Sequence, residues 1–115
     1  MLDTYTFAGI LWKYNKNNQT LESRTGGHWK FHDMRWKIPD EGKTDTIEEM
    51  GTSKALGSRK NVSNMVILET LDASEFQMWT RSKKTSSGYF TLRHSFSGKF
   101  LSKDMTITGD HLILI

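Results

Sequence analysis

The chain has no cysteine at all. That excludes a disulfide-stapled scaffold and a thiolate metal site. It makes a cytoplasmic setting the expectation, with export as part of a larger secreted parent the alternative. One proline and nine glycines in 115 residues exclude collagen-like and proline-rich classes. No apolar run exceeds four residues, as in Met65 to Leu68, whereas a membrane-spanning helix needs about 20. No membrane insertion is expected. The opening stretch, MLDTYTFAGILW, lacks a basic segment and a cleavage-type ending, so it does not read as a signal peptide. Charge of one sign is also missing. Sixteen basic against 13 acidic residues leave a net charge of +3, too small for a nucleic-acid arm. No zinc-finger or RNP-like motif interleaves aromatic with basic residues, so nucleic acid is not an expected partner.

What is present is a polar chain with a real core. Hydrophobic residues make up 36% and aromatics 11%, enough aromatic content to argue against disorder. The length fits one domain, residues 1–115. No window repeats apolar residues at helical spacing, while strand signals recur between turns. Phe7–Tyr14, Thr20–Ser23, Trp29–His32, Arg35–Ile38, Thr46–Met50, Lys54–Leu56, Met65–Glu69, Phe76–Thr80, Tyr89–His94, Lys99–Ser102, Met105–Thr108 and His111–Ile115 read as strands. The segments between them carry turn residues, such as Asn15-Lys16-Asn17-Asn18, Pro39-Asp40-Glu41-Gly42 and Ser97-Gly98. Short strands at this spacing predict an all-β barrel or sandwich.

The strands fall into three weak repeats. Leu21, Leu56 and Leu101 each lie nine residues after another apolar residue, namely Trp12, Ile47 and Leu92. Each of these pairs straddles a polar turn and is followed by two further strands. Approximate repeats of 1–42, 43–84 and 85–115 then fill the chain. One four-stranded unit cannot bury its apolar face alone, but three around a pseudo-threefold axis close a barrel and hide the long edges. The expected fold is a β-trefoil of three four-stranded pseudo-repeats.

Gln77-Met78-Trp79 is a Q-x-W triplet, and it is followed by Gly88-Tyr89-Phe90 and Ser97-Gly98-Lys99-Phe100-Leu101. This stretch, Glu75 to Ser102, resembles the ricin-type (QxW) β-trefoil lectins, with a weaker likeness to MIR and fascin trefoil domains. The resemblance implies that Trp79 is core and that Gln77 bonds a turn. Trp12, Trp36, Phe90, Leu92 and Leu101 are likewise expected in the core. It also implies a non-enzymatic carbohydrate-binding module favouring galactose-type sugars or glycoproteins, with no cofactor. The family's sugar-binding acid follows the second-strand leucine. Here those positions are Glu22, Gly57 and Ser102, so only the first repeat keeps an acid. Met34-Arg35-Trp36 stands where the first repeat would carry its Q-x-W, and the third repeat ends without tryptophan.

Sugar binding needs an aromatic face against ring C–H groups and polar groups that order the hydroxyls. Glu22, Arg24, Trp29, His32 and Asp33 lie within twelve residues and form the expected sugar site, with Trp29 as the stacking ring. Ser102, Asp104, Asp110 and His111 form a poorer set without an aromatic. His28 and His32 are four apart but on a strand-like segment with no third ligand, so no metal site is expected. No G-x-S-x-G, H-E-x-x-H, G-x-G-x-x-G or P-loop pattern occurs, and an enzyme is not expected. Basic residues gather loosely in predicted turns: Lys13 and Lys16, Arg59 and Lys60, then Arg81, Lys83 and Lys84. The alternatives to a lectin are a protein-interaction trefoil without a sugar site, and binding of sulfated or anionic partners through these turns. Asn18-Gln19-Thr20 and Asn61-Val62-Ser63 fit the glycosylation sequon, which matters only in a secreted parent.

Overall fold

The computed structural model describes residues 9–26, 29, 31–59, 64–104 and 111–115. Among these residues the regular structure is eleven short strands and one 3₁₀ turn. The first five strands are β1 (Trp12–Asn15), β2 (Thr20–Ser23), β3 (Trp36–Lys37), β4 (Thr44–Asp45) and β5 (Glu48–Glu49). They are followed by β6 (Lys54–Gly57), β7 (Ile67–Thr70), the 3₁₀ turn (Glu75–Gln77) and β8 (Trp79–Arg81). The chain closes with β9 (Leu92–His94), β10 (Leu101–Lys103) and β11 (Leu112–Leu114). The protein is all-β. Every strand pairing is antiparallel. The strands form four small sheets, ordered β1-β2, β10-β11, β3-β5-β6-β7 and β4-β8-β9. Three isolated bridges, Trp12 to Phe90, Met65 to Ile113 and Arg93 to Phe100, tie further segments together.

The first hairpin shows how local chemistry sets the turn. The Asn15 side chain accepts from the backbone N–H of Asn17 at 2.9 Å, and Asn18 accepts from both Thr20 N–H and Thr20 Oγ1–H. Such side-chain turns are what asparagine does well. The positive φ falls on the next residue, Gln19, at 61°.

The three anchor leucines share one role. Leu21, Leu56 and Leu101 sit on β2, β6 and β10, each fully buried. The carbonyl of each accepts an indole N–H: from Trp29 at 3.0 Å, Trp79 at 3.1 Å and Trp12 at 2.9 Å. Three buried donors are thereby satisfied in one manner. These rings, with Trp36, Phe90, Ile47 and Leu92, form a single core cluster. Trp12, Trp36, Gln77, Trp79, Leu92 and Leu101 are all 0% exposed.

The nine-residue spacing holds in two hairpins and fails in the first. Leu56 donates its N–H to Ile47 O, and the Arg93–Phe100 bridge sets Leu92 opposite Leu101. In the first hairpin Leu21 pairs with Tyr14, and Trp12 pairs with Ser23. The tight Lys16–Gln19 turn shortens that hairpin, so its true partner lies nearer. Trp12 faces the other end of the chain instead, exchanging both backbone hydrogen bonds with Phe90 at 2.9 Å.

Other strand expectations also shift. Trp29 and residues 31–32 lie in no strand: His32 N–H bonds back to Trp29 O at 2.9 Å and residues 31–34 form a turn. Phe76–Thr80 begins as the 3₁₀ turn and becomes extended only at Trp79. Leu112–Leu114 pairs with β10, the place β7 takes beside β6, rather than completing a fourth strand of the third repeat. Arg81 lies on β8 and is buried, not in an exposed turn. Met105–Thr108, Asp110, His28, Lys60 and the second sequon lie outside the described residues.

Candidate functional site

The C-terminal half of β2 and the turn that follows it frame one side of an open cleft of about 460 Å³. It is lined by Leu21, Glu22, Ser23, Arg24, Gly26, Trp29, His32 and Tyr89. Strand alternation explains the placement. Leu21 and Ser23 point inward and are buried, while Glu22 and Arg24 point outward. Arg24 is held at the mouth because its N–H donates to Leu11 O at 2.9 Å. The chain then turns through Thr25 and Gly26. The Gly26 N–H bonds Ser23 O at 3.0 Å, and its φ of 74° suits glycine. Ser23 Oγ and Thr25 Oγ1 share a hydrogen bond of 2.8 Å beneath this turn. Lys103, itself buried on β10, reaches across and donates Nζ–H to Gly26 O at 3.2 Å.

Four of the five residues expected to bind sugar meet here: Glu22, Arg24, Trp29 and His32. The fifth, Asp33, sits exposed on the 31–34 turn and does not line the cleft. Trp29 lines it only from below. It is 1% exposed, packs edge-on against Trp12 and Phe31 and stacks on Trp36. A ring buried on this scale offers no face to a ligand, so the stacking role expected of Trp29 is corrected to a core role. His32 is half-buried, and its Nδ1–H donates to Trp29 O at 2.8 Å. A carbonyl can only accept, which fixes Nδ1 as the protonated nitrogen.

The aromatic at the mouth is Tyr89, which sequence reasoning placed only within the family-like stretch. The Arg24 guanidinium lies 5.2 Å from its ring centre and the Lys13 ammonium 5.5 Å. Both distances are within cation–π range. The signal that could have found Tyr89 is its place three residues before Leu92, one residue ahead of the Phe90 that bridges Trp12. A tyrosine ring flanked by an acid, a guanidinium, an imidazole and a serine hydroxyl can hold a small polyhydroxylated ring by stacking and by directed hydrogen bonds.

The remaining candidate residues lie elsewhere and are occupied. Ser102 is fully buried, with its hydroxyl donating to Lys103 O at 3.1 Å. Asp104 is buried beside it and its N–H bonds His111 O. Gln77 is fully buried and structural in geometry. Its amide donates to Glu69 Oε2 at 2.7 Å and Thr70 O at 2.8 Å, and its Oε1 accepts from Asp72 and Ala73 N–H. Arg59 binds Glu69 at 2.6 Å and Asp72 at 2.8 Å. Its hydrogen bond holds the Asp72 carboxyl down at about 2, helped by the Ser74 N–H. No group of three His, Asp or Glu side chains able to hold a metal occurs among the described residues. No helix among them is long and apolar enough to cross a membrane.

No family model, curated protein or solved structure matches the chain.

Proposed function

We propose that this protein is a non-enzymatic carbohydrate-binding module that takes a glycan or glycoprotein sugar in the cleft between Glu22, Arg24, His32 and Tyr89, and that its architecture is a β-trefoil of three pseudo-repeats. Two features support the trefoil reading. The carbonyls of Leu21, Leu56 and Leu101 each take an indole N–H. Trp36 pairs with Glu49 and Trp79 with His94, each two residues past the partner of an anchor leucine. That register puts Met34-Arg35-Trp36 in the position of Gln77-Met78-Trp79.

The observation that carries the sugar reading is a half-exposed tyrosine ring beside a carboxylate that points to solvent. Glu22 accepts hydroxyl protons, Arg24 and His32 orient the ring, and Tyr89 covers its apolar face. Galactose-type sugars, whose C–H face is continuous, suit such a platform. A second reading follows from the two cations on Tyr89. They favour sulfated glycans over neutral ones, in an interaction weakened by salt.

The test is a glycan array at low and high salt with Tyr89→Ala and Glu22→Gln variants. Neutral-glycan binding that resists salt and falls roughly tenfold or more in either variant supports the site, the scale of losing one well-placed stacking or charged hydrogen-bond contact. Binding confined to sulfated glycans and lost at high salt supports the second reading. Silence across the array overturns both and leaves the protein-interaction trefoil, for which partner capture is then the measurement.

A further inference from the structure

A second cleft, of about 380 Å³, opens on the other side of the first hairpin, where Arg81 meets Lys16, Lys37, Ile38, Asp40 and Met50. Its unusual member is Arg81. The residue is 9% exposed on β8, and its guanidinium lies 4.2 Å from the centre of the Phe90 ring. One amino group, Nη1, donates to Pro39 O at 3.2 Å. Nη1 is the nitrogen on the Cδ side, so the opposite edge of the guanidinium, made of Nε and Nη2, is the side-on fork. Among the described residues that fork has no hydrogen-bond partner, and Nε is sealed from solvent. Among the described residues no carboxylate stands within ion-pair distance of Arg81 either. Asp40 and Glu41 act on it only through space, and Glu41 is engaged by the Lys84 N–H.

A buried guanidinium with an empty fork is costly, because its desolvation is not offset by a paired charge. The side-on fork matches two adjacent oxygens of a carboxylate, sulfate or phosphate. We propose that this cleft is an oxyanion-binding site, in which a small side-chain shift over Nε on binding lets the Nε and Nη2 fork of Arg81 receive a compact oxyanion. Lys16 and Lys37 supply further positive charge at the rim. Lys37 is 56% exposed and only loosely paired, 3.8 Å from Glu48. Ile38 and Met50 provide an apolar flank for the organic body that carries the anion. Asp40 is the one acid in the lining and sets a limit on affinity. The site does not rest on the carbohydrate reading and lies apart from Tyr89.

The test is titration of ¹⁵N-labelled protein with sodium sulfate, phosphate and acetate, reading the Arg81 Nε–Hε resonance. Sodium chloride at matched ionic strength is the control. The expected result is a saturable shift with at least one oxyanion and none with chloride. The Lys16→Ala/Lys37→Ala double variant should weaken the apparent affinity roughly threefold while the shift still saturates, the scale of losing exposed charge partners. Arg81→Lys should abolish saturation, since an ammonium keeps the charge and loses the fork. A shift that follows ionic strength equally in chloride overturns the proposal, as does Arg81→Lys that binds like the parent. If Arg81→Lys does not fold, the double variant decides: unchanged affinity refutes the site. Sulfate and phosphate binding without acetate would identify a tetrahedral ester, and acetate binding alone would identify a carboxylate. Loss of glycan binding in Tyr89→Ala with the Arg81 shift intact would separate the two sites.

Discussion

The four tryptophans are all buried, yet they differ in one atom's fate. Trp12, Trp29 and Trp79 each give their indole N–H to a leucine carbonyl, while Trp36 Nε1 has no partner among the described residues. Phenylalanine in place of tryptophan removes ring volume and the donor together. At Trp79 it also strands the Leu56 carbonyl. At Trp36 the lost N–H was unpaired, and its removal relieves a cost. Trp79→Phe should therefore destabilise more than Trp36→Phe by about 1 kcal/mol, the net worth of one neutral hydrogen bond. Urea midpoints of the two variants measure the difference, and equal midpoints would refute it. Gln77 and Trp79 were legible from the sequence because a short motif fixed both. Trp29 was not. Its charged neighbourhood suggested a ring open to stack on sugar, whereas the turn at 31–34 folds that ring under β2. Arg81 was read as one of a loose group of basic residues in predicted turns, because nothing in its neighbours announces the Phe90 ring that covers it.

At the scale of elements, two side chains tie strands to turns and titrate in doing so. His94 on β9 donates Nε2–H to Phe76 O at 2.7 Å, so Nδ1 accepts from Ser97 Oγ at 2.9 Å. Burial pushes its pKa below the ordinary 6.5. The folded state thus binds fewer protons than the unfolded state just below pH 6.5. Stability is then present above that pH and falls as pH drops through the folded value. Asp72, held by Arg59 between β7 and the 3₁₀ turn, acts lower. Its carboxyl sits at about 2 against an ordinary 3.8. Its contribution is present above 3.8 and is lost as pH falls toward 2. Urea midpoints against pH should show two acid-side declines, and Asp72→Asn should flatten only the lower one. An unchanged lower decline in that variant would refute the assignment to Asp72. Element existence was largely legible here, since β2, β3, β5, β9 and β11 fall inside expected strands and β1, β6, β7, β8 and β10 overrun theirs by one residue. Boundaries were not. The Q-x-W segment looks extended throughout, but Ala73 at φ 55° and the Gln77 carboxamide wind its first half into the 3₁₀ turn.

For the whole molecule, the all-β class followed from turn chemistry and strand alternation, which act over a few residues. The register of the first hairpin did not, because a two-residue difference in loop length changes the partner without changing the hydrophobic pattern. The sheets interlock rather than stand apart. β4 pairs with β8 and β8 with β9, while β3, from the first third of the chain, pairs with β5. One core cluster includes residues from Trp12 to Leu114. Unfolding should therefore be a single cooperative event, with tryptophan emission and far-ultraviolet circular dichroism giving coincident urea transitions. Separated transitions would show that one of the small sheets melts independently.

The pairing of Trp12 with Phe90 and Leu101 has a consequence for biosynthesis. The indole of Trp12 waits for a carbonyl 89 residues further along the chain. On the ribosome, the first hairpin emerges early and holds its largest ring without that acceptor until the segment around Leu101 has left the exit tunnel. Throughout that interval the nascent chain presents an unsheltered aromatic face, which a chaperone that scans for such surfaces would meet before the fold can hide it.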